Sequence, residues 1–373
     1  MEQSNQLIDL VHSRIDEFLE TRQPIVTTIS PDLTPLVEFS RQFLSGGKRF
    51  RALFCYWGWQ SVATSESAGA GRDFDRSPTD LAPIVSAAAA LEIFHAAALV
   101  HDDIIDNSDT RRGAASAHKL VEGIHGRSGW AGSQVDFGRA AGILLGDLLL
   151  GWSDELLDEG LAAAPDASAA DRARSEFNRM RTEVTVGQYL DILEERAWLI
   201  QPESELFGRA LRVIVFKSAK YSVQAPLVIG AALAGADPDH LHALRAFGLP
   251  LGIAFQLRDD LLGVFGDTAV TGKPSGDDLR EGKRTVLIAL ARESLSEPAR
   301  SELDARLGDP LLTEDQIGVL QRTIVDSGAV ERIEALIASN VAEALAALDG
   351  SPISGAVTTR LTELAETVTR RAF

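Results

Sequence analysis

Helical periodicity runs through nearly the whole chain, and it constrains the fold more than any other feature. Leu7, Leu10, Val11, Ile15, Phe18 and Leu19 recur at three- and four-residue steps, and Pro24 is expected to stop that helix. Near the other end Val330, Ile333, Ile337, Val341, Leu345 and Leu348 repeat the stripe until Gly350 and Pro352 close it. The segments 81–105, 139–160, 205–235, 241–264 and 285–296 are rich in Ala and Leu nearly all round, which suits helices buried inside a large bundle. No run alternates apolar and polar residues with β-branched enrichment, so strands are expected to be few or absent. An all-α fold follows. The 373 residues suffice for two average domains or one large core. Neither a composition shift nor an internal repeat marks a boundary, so residues 1–373 are read as one domain.

Several classes are excluded at once. The apolar stretch 81–100 carries Pro83, Glu92 and His95, and 225–236 is too short to span a bilayer, so no membrane span is expected. The N-terminus MEQSNQLIDL has neither the charge nor the apolar run of a signal or transit peptide. A single cysteine, Cys55, makes no internal disulfide and no cysteine metal cage, which points to a reducing cytoplasm. The formal net charge of -18 repels phosphate backbones, so the chain is not read as a nucleic-acid binder.

Three breaks look like loops, at 64–79, 162–170 and 267–282. The third mixes Gly, Lys and paired Asp, the composition of a mobile lid over phosphates.

Chemistry gathers in a few motifs. In LVHDDIIDNSDTRRG, Asp102 and Asp106 are four apart and share a helix face, with Asp103 beside them. Like charges at that spacing destabilise an empty helix, whereas hard oxygen donors suit Mg2+, which takes one or two carboxylates plus waters and substrate phosphates. A second pair, Asp259 and Asp260 in AFQLRDDLLGVFGD, also ends an apolar helix. Two such carboxylate walls facing one cavity would need cations between them. The bland reading, two solvated helix ends, suits one such pair better than two.

The cations are as informative, because lysine is scarce: six residues, at 48, 119, 217, 220, 273 and 283. Lys48 with Arg51 follows a Gly-Gly turn in SGGKRFR, and Arg111 and Arg112 follow the first Asp motif. Lys217 with Ser218, and Gln256, lie in apolar helices; Lys273 lies within the third loop and Lys283 directly follows it. No Walker loop occurs. These scattered cations suit a diphosphate held from several sides. Lys119 and Lys220 are read as surface charges.

The ordered set GGKRFR, His95, DDIIDNSDTRRG, GQYLD, FKS, FQLRDDLLG and GKPSGDDLREGKRT resembles the trans-isoprenyl diphosphate synthases, the polyprenyl synthetase family. The motif-bearing core covers about 46–285, followed by C-terminal helices over about 286–373. The resemblance implies an all-α isoprenoid-synthase bundle around a deep central cavity, a homodimer, and head-to-tail condensation of isopentenyl diphosphate with dimethylallyl, geranyl or farnesyl diphosphate. It implies Mg2+, three ions per site with substrate bound, and Mn2+ as a substitute. Lys48, Arg51, His95 and Arg112 resemble the isopentenyl diphosphate contacts. Asp102, Asp103, Asp106, Asp259 and Asp260 resemble the metal site, with Arg111 on the allylic diphosphate. Lys217, Ser218, Gln256, Lys273 and Lys283 match the remaining substrate positions, and Arg111, Lys217, Ser218 and Gln256 are the groups closest to the chemistry. Ser218 replaces the usual Thr. Gly263 stands where the second motif usually ends in Asp; either Asp267 substitutes or Asp259 and Asp260 suffice, and the latter is expected.

Product length is read along the helix ending in Asp102. Ala98 and Ala97 are too small to form a floor, whereas Phe94, two turns away, lies about 12 Å from Asp102 at 1.5 Å per residue. Geranylgeranyl diphosphate, C20, is the expected product, with C15 and longer chains as rivals. A terpene cyclase is disfavoured by the second basic grip, and a non-catalytic subunit of a heteromeric synthase by the intact first motif.

Overall fold

The computed structural model describes residues 2–63, 78–267 and 274–370. Lys273 and most of the 64–79 break lie outside them. The described chain is helical almost throughout and divides into two compact units, residues 1–175 with 226–237, and 176–225 with 238–373.

The first unit holds α1 (Glu2–Ile29), a 3-10 turn (Pro31–Leu33), α2 (Thr34–Leu44), α3 (Phe50–Ala63), α4 (Pro78–Ile105), α5 (Ala117–Ser128), α6 (Gln134–Ala162), the start of α7 (Ala167–Ala197) and most of α9 (Ala225–Leu233). Helix α4 is apolar all round because it is enclosed by α6, α3 and α1. Ala87, Ala88, Ala89, Ala90 and Leu91 are fully buried, and small side chains there let α6 approach closely enough for Ser153 to donate to the Ala90 carbonyl at 2.8 Å. By length and composition residues 80–105 could cross a membrane, yet 83% of their most apolar 18 residues are buried within the protein, as befits a core helix.

Helix α1 departs from expectation. It runs through Pro24 to Ile29. The ring sits on the exposed side, where Glu20, whose carbonyl loses its donor, is open to solvent, while Val26 just beyond is buried and holds the helix in place. The stop comes instead at Ser30, whose hydroxyl accepts from the Asp32 amide at 3.2 Å. The only strands among the described residues are β1 (Thr110–Arg111) and β2 (Ala114–Ala115), a minimal hairpin.

The second unit holds the rest of α7, α8 (Glu203–Val213), a π-helix (Ile214–Gln224), α10 (Pro238–Phe265), α11 (Asp277–Glu281), α12 (Val286–Ser294), α13 (Glu297–Arg306), α14 (Glu314–Asp326), α15 (Ala329–Ala346) and α16 (Gly355–Thr369). Its core joins Leu257, Leu261 and Val264 of α10 to Leu287 and Ile288 of α12 and Ile333 and Ile337 of α15. Arg258 locks α10 in place. It grips Glu334 of α15 through two bonds of 2.6 and 2.7 Å and the Thr369 carbonyl of α16 at 3.0 Å.

Candidate active site

In the first unit the chain between α2 and α3 turns through left-handed backbone at Gly46, Gly47 and Arg49, with φ of 73°, 87° and 51°. Arg49 is not a glycine, so this conformation costs about 1 kcal/mol. A buried ion pair holds it. Arg49 bonds Glu92 of α4 at 3.2 Å and the Leu44 carbonyl, while Glu92 also accepts from the Ala52 amide at 3.1 Å. One carboxylate therefore fixes the turn and caps the start of α3. Lys48 on that turn is exposed and Arg51 half-buried.

Asp102 and Asp103 close α4, and Asp106 continues its hydrogen-bonding through an amide bond to the Asp102 carbonyl at 2.8 Å. Their settings differ. Asp102 and Asp106 are partly exposed, whereas Asp103 is fully buried and accepts from Arg111, Nε at 2.9 Å with Nη2 on the same oxygen. Arg111 Nη2 also lies 3.5 Å from Asp102. The hairpin explains why two adjacent arginines part. Arg112 and Gly113 are both left-handed, φ 54° and 75°, between the paired residues Arg111 and Ala114, a primed turn. Arg111 turns back to Asp103, while a Cβ on Gly47 would stand 3.3 Å from Arg112 Nη2.

His95 completes this cluster. Burial, then the charges of Arg51, Arg112, Arg111 and Arg49, hold its pKa well below the ordinary imidazole value, so it is neutral. Burial, then Arg49, likewise lowers Arg112. Four guanidiniums, Arg49, Arg51, Arg111 and Arg112, outnumber the two buried carboxylates paired with them, Glu92 and Asp103, and make a site that favours a polyanion.

In the second unit Lys217 and Ser218 lie on the π-helix, the wider turn often found at functional sites. Lys217 bonds Asp191 of α7. Gly187 permits that approach, since a Cβ there would overlap the backbone of Phe216 and Lys217. On α10, Gln256 donates to Asp260 at 2.8 Å. The other oxygen of Asp260 is buried with no hydrogen-bond partner. Burial pushes the Asp260 carboxyl up to about 8, with Asp278 and Asp259 adding to it against the Gln256 bond and Lys283. Asp259 is exposed, and Lys283 lies 2.8 Å from Glu281 and 3.8 Å from Asp278.

Among the described residues no three His, Cys, Asp or Glu side chains form a ready metal cage. Magnesium needs none, since it keeps waters and takes substrate phosphates. The buried Asp260 oxygen, which no donor satisfies, fits a cation.

Of the expected residues, Arg51, His95, Arg111 and Arg112 share one electrostatic cluster, with Lys48 on its turn. Ala98 lies on the partly open stripe of α4 with His95 and Asp102, whereas Ala97 and Phe94 are buried at 0% and 3% exposure. Lys119 and Lys220, both partly buried, pair at 2.8 Å with Glu122 and Glu183. Sequence pattern alone does not reveal the roles of Arg49 and Glu92. A lone acid in the apolar α4 was the signal for Glu92.

The fold and these two sets of groups define an all-helical prenyltransferase. The chain belongs to the polyprenyl synthetase family, whose pattern matches residues 34–322 and so spans both compact units. It is similar to a geranylgeranyl pyrophosphate synthase from Corynebacterium glutamicum, solved with isoprenyl diphosphate and magnesium, with 39% identity, a TM-score of 0.89, and coverage of 98% of this chain and 99% of that one. It is also similar to the geranylgeranyl diphosphate synthase of Sulfolobus acidocaldarius, 31% identical over 79% of this chain and 78% of that one. The geranylfarnesyl diphosphate synthase of Natronomonas pharaonis is 32% identical over 87% of each chain.

Proposed function

We propose that this protein condenses isopentenyl diphosphate head-to-tail with allylic diphosphates, in a Mg2+-dependent reaction that ends at all-E geranylgeranyl diphosphate. The observation that carries the reading is the arginine cluster around neutral His95, next in the fold to the Asp102–Asp106 motif. It provides a grip for a non-ionising diphosphate beside carboxylates suited to a metal-held one.

Each group then has a role. Lys48, Arg51, Arg112 and neutral His95 bind isopentenyl diphosphate and hold its double bond near the primer. Asp102 and Asp106 in the first unit, and Asp259 and Asp260 in the second, are the carboxylates that would hold Mg2+, which when bound neutralises charge on the departing pyrophosphate. Arg111 shares that charge while anchored on Asp103. The allylic C–O bond breaks, the isopentenyl carbon–carbon double bond attacks the allylic cation, and a proton leaves for the released pyrophosphate. Lys217, Ser218, Gln256, Lys273 and Lys283 take the remaining substrate-binding roles, Lys217, Ser218 and Gln256 closest to the chemistry. Three Mg2+ ions serve each site with substrate bound, and Mn2+ substitutes. Residues 1–373 act as one catalytic domain.

The chain works as a homodimer in a reducing cytoplasm. Support for the dimer comes from the apolar side chains that α6 leaves exposed, Phe137, Ile143 and Leu144, beside Trp130. Support for the compartment is the single, buried Cys55.

The test is incorporation of labelled isopentenyl diphosphate into a longer prenyl diphosphate with stoichiometric release of pyrophosphate. The reading expects this with Mg2+ and its loss with chelator; incorporation without divalent metal would overturn it.

A further inference from the structure

Helix α10 ends at Phe265, and carbonyls in the last turn of a helix run out of helical donors. Val264 in that turn is 1% exposed, so its carbonyl needs a partner inside the protein. Gln321 of α14 supplies one, its Nε2 donating at 2.6 Å. The same nitrogen also donates to the hydroxyl of Ser275 at 3.2 Å. Val264 and Ser275 lie eleven residues apart, so a single side-chain amide uses both of its N–H groups to tie two separate segments together. We propose that Gln321 is a positioning residue for the substrate diphosphate: it fixes the start of the turn that carries Lys283 against the end of α10.

Helix α14 holds that turn at other points as well. Gly276, φ 72°, lies so close that a Cβ there would stand 2.5 Å from Ile317 Cγ2. Arg280 of α11 donates to Glu314 at 2.7 Å and to the Leu312 carbonyl, just before α14, at 3.3 Å. A capping box of Thr313 and Gln316 fixes the start of α14 where the turn leans on it. From Ser275 the chain runs through α11 to Gly282 and Lys283, whose amides both bond the Asp278 carbonyl, at 3.0 and 3.1 Å.

What this brace sets is the place of a charge. Lysine carries its ammonium on a flexible four-carbon stem, so the backbone beneath Lys283 decides which region the ammonium can reach. Were Gln321 only a cap for α10, its bond to Ser275 would be incidental, and losing the Ser275 hydroxyl would change nothing further along the turn. A positioning role demands the opposite: the hydroxyl matters even while α10 keeps its cap.

This rests on reading Lys283 as a contact for the allylic diphosphate, and the experiment separates the two. Ser275→Ala keeps the bond to Val264 and should melt like the wild type. Its amides over 276–283 should exchange hydrogen faster, and KM for the allylic primer should rise about threefold, the worth of one ordinary hydrogen bond, with KM for isopentenyl diphosphate unchanged. Ser275→Thr retains the hydroxyl and should restore wild-type values in both measurements. Gln321→Leu loses both bonds, so it should also lower the melting temperature, and adding Ser275→Ala to it should raise KM no further. Wild-type exchange over 276–283 in Ser275→Ala, or KM effects of the two substitutions that simply add, overturns the proposal. Lys283→Ala is the control. A raised KM for the allylic primer there, with a wild-type KM in Ser275→Ala, overturns the positioning role. An unchanged KM in Lys283→Ala overturns the reading of Lys283 and the link to substrate, while the exchange result still decides whether Gln321 ties the turn.

Discussion

Arg49 and Glu92 form an ion pair of 3.2 Å, each side chain 5% exposed, beneath the turn that presents Lys48 and Arg51. Removing one partner strands the other charge in the interior, which costs about 3–5 kcal/mol. Glu92→Gln should lower the unfolding free energy by that order and raise KM for isopentenyl diphosphate more than for the allylic primer. Denaturant melts and steady-state kinetics check both. A stability within about 1 kcal/mol of wild type, the size of an ordinary hydrogen bond, would contradict the role assigned to the pair.

The neighbouring aspartates of the first motif should respond differently to substitution. Asp102 is partly open and binds metal in this account, so Asp102→Asn should abolish turnover and leave the fold intact. Asp103 is fully buried under Arg111, so Asp103→Asn should cost both activity and about 3 kcal/mol of stability in EDTA. Equal melting temperatures for the two variants would show that Asp103 carries no structural load.

Much of this was legible in the sequence, and the remainder was hidden for physical reasons. Spacing at three and four residues revealed the helices, because burial of one face leaves that trace. It misplaced the end of α1, because an exposed Pro24 next to a buried Val26 is tolerated where packing holds the helix. Asp102, Arg111 and Arg112 could be read from their motif, but the left-handed turn that sends the two arginines apart could not. Glu92 gave only a faint signal, since a buried acid in an apolar helix acquires meaning once Arg49 is placed beside it. Asp278 fills the space beside Gly263 from fifteen residues further along, a separation that no local pattern connects.

Asp260 should make stability depend on pH when metal is withheld. Its folded carboxyl titrates at about 8, whereas an unfolded one titrates near 3.9. Between those values the folded protein keeps a proton that the unfolded chain has lost, so this contribution to stability falls as pH rises through the window. Asp260→Asn should flatten that part of the slope in EDTA. Mg2+ binding to wild type at pH 7 should release a proton, visible in calorimetry across buffers of different ionisation enthalpy. An unchanged slope in the variant, with no proton released, would refute the assignment.

Product length should answer to Ala98 more cleanly than to Ala97. Ala98→Phe places a ring on the open stripe one turn from Asp102 and should shorten the product to C15 or less. Ala97 is fully buried, so Ala97→Phe also overpacks the core, at about 1–3 kcal/mol, and should shorten the product only with a loss of stability. Phe94→Ala should lengthen the product. Mass spectrometry of the reaction products reads all three, and unchanged distributions would place the floor on another helix.

The most direct measurement is product sizing with purified enzyme, Mg2+, isopentenyl diphosphate, and dimethylallyl, geranyl or farnesyl diphosphate in turn. The account predicts that the three reactions converge on the C20 diphosphate, with C15 appearing transiently from the two shorter primers. A protein that binds these diphosphates yet lengthens none of them would contradict it.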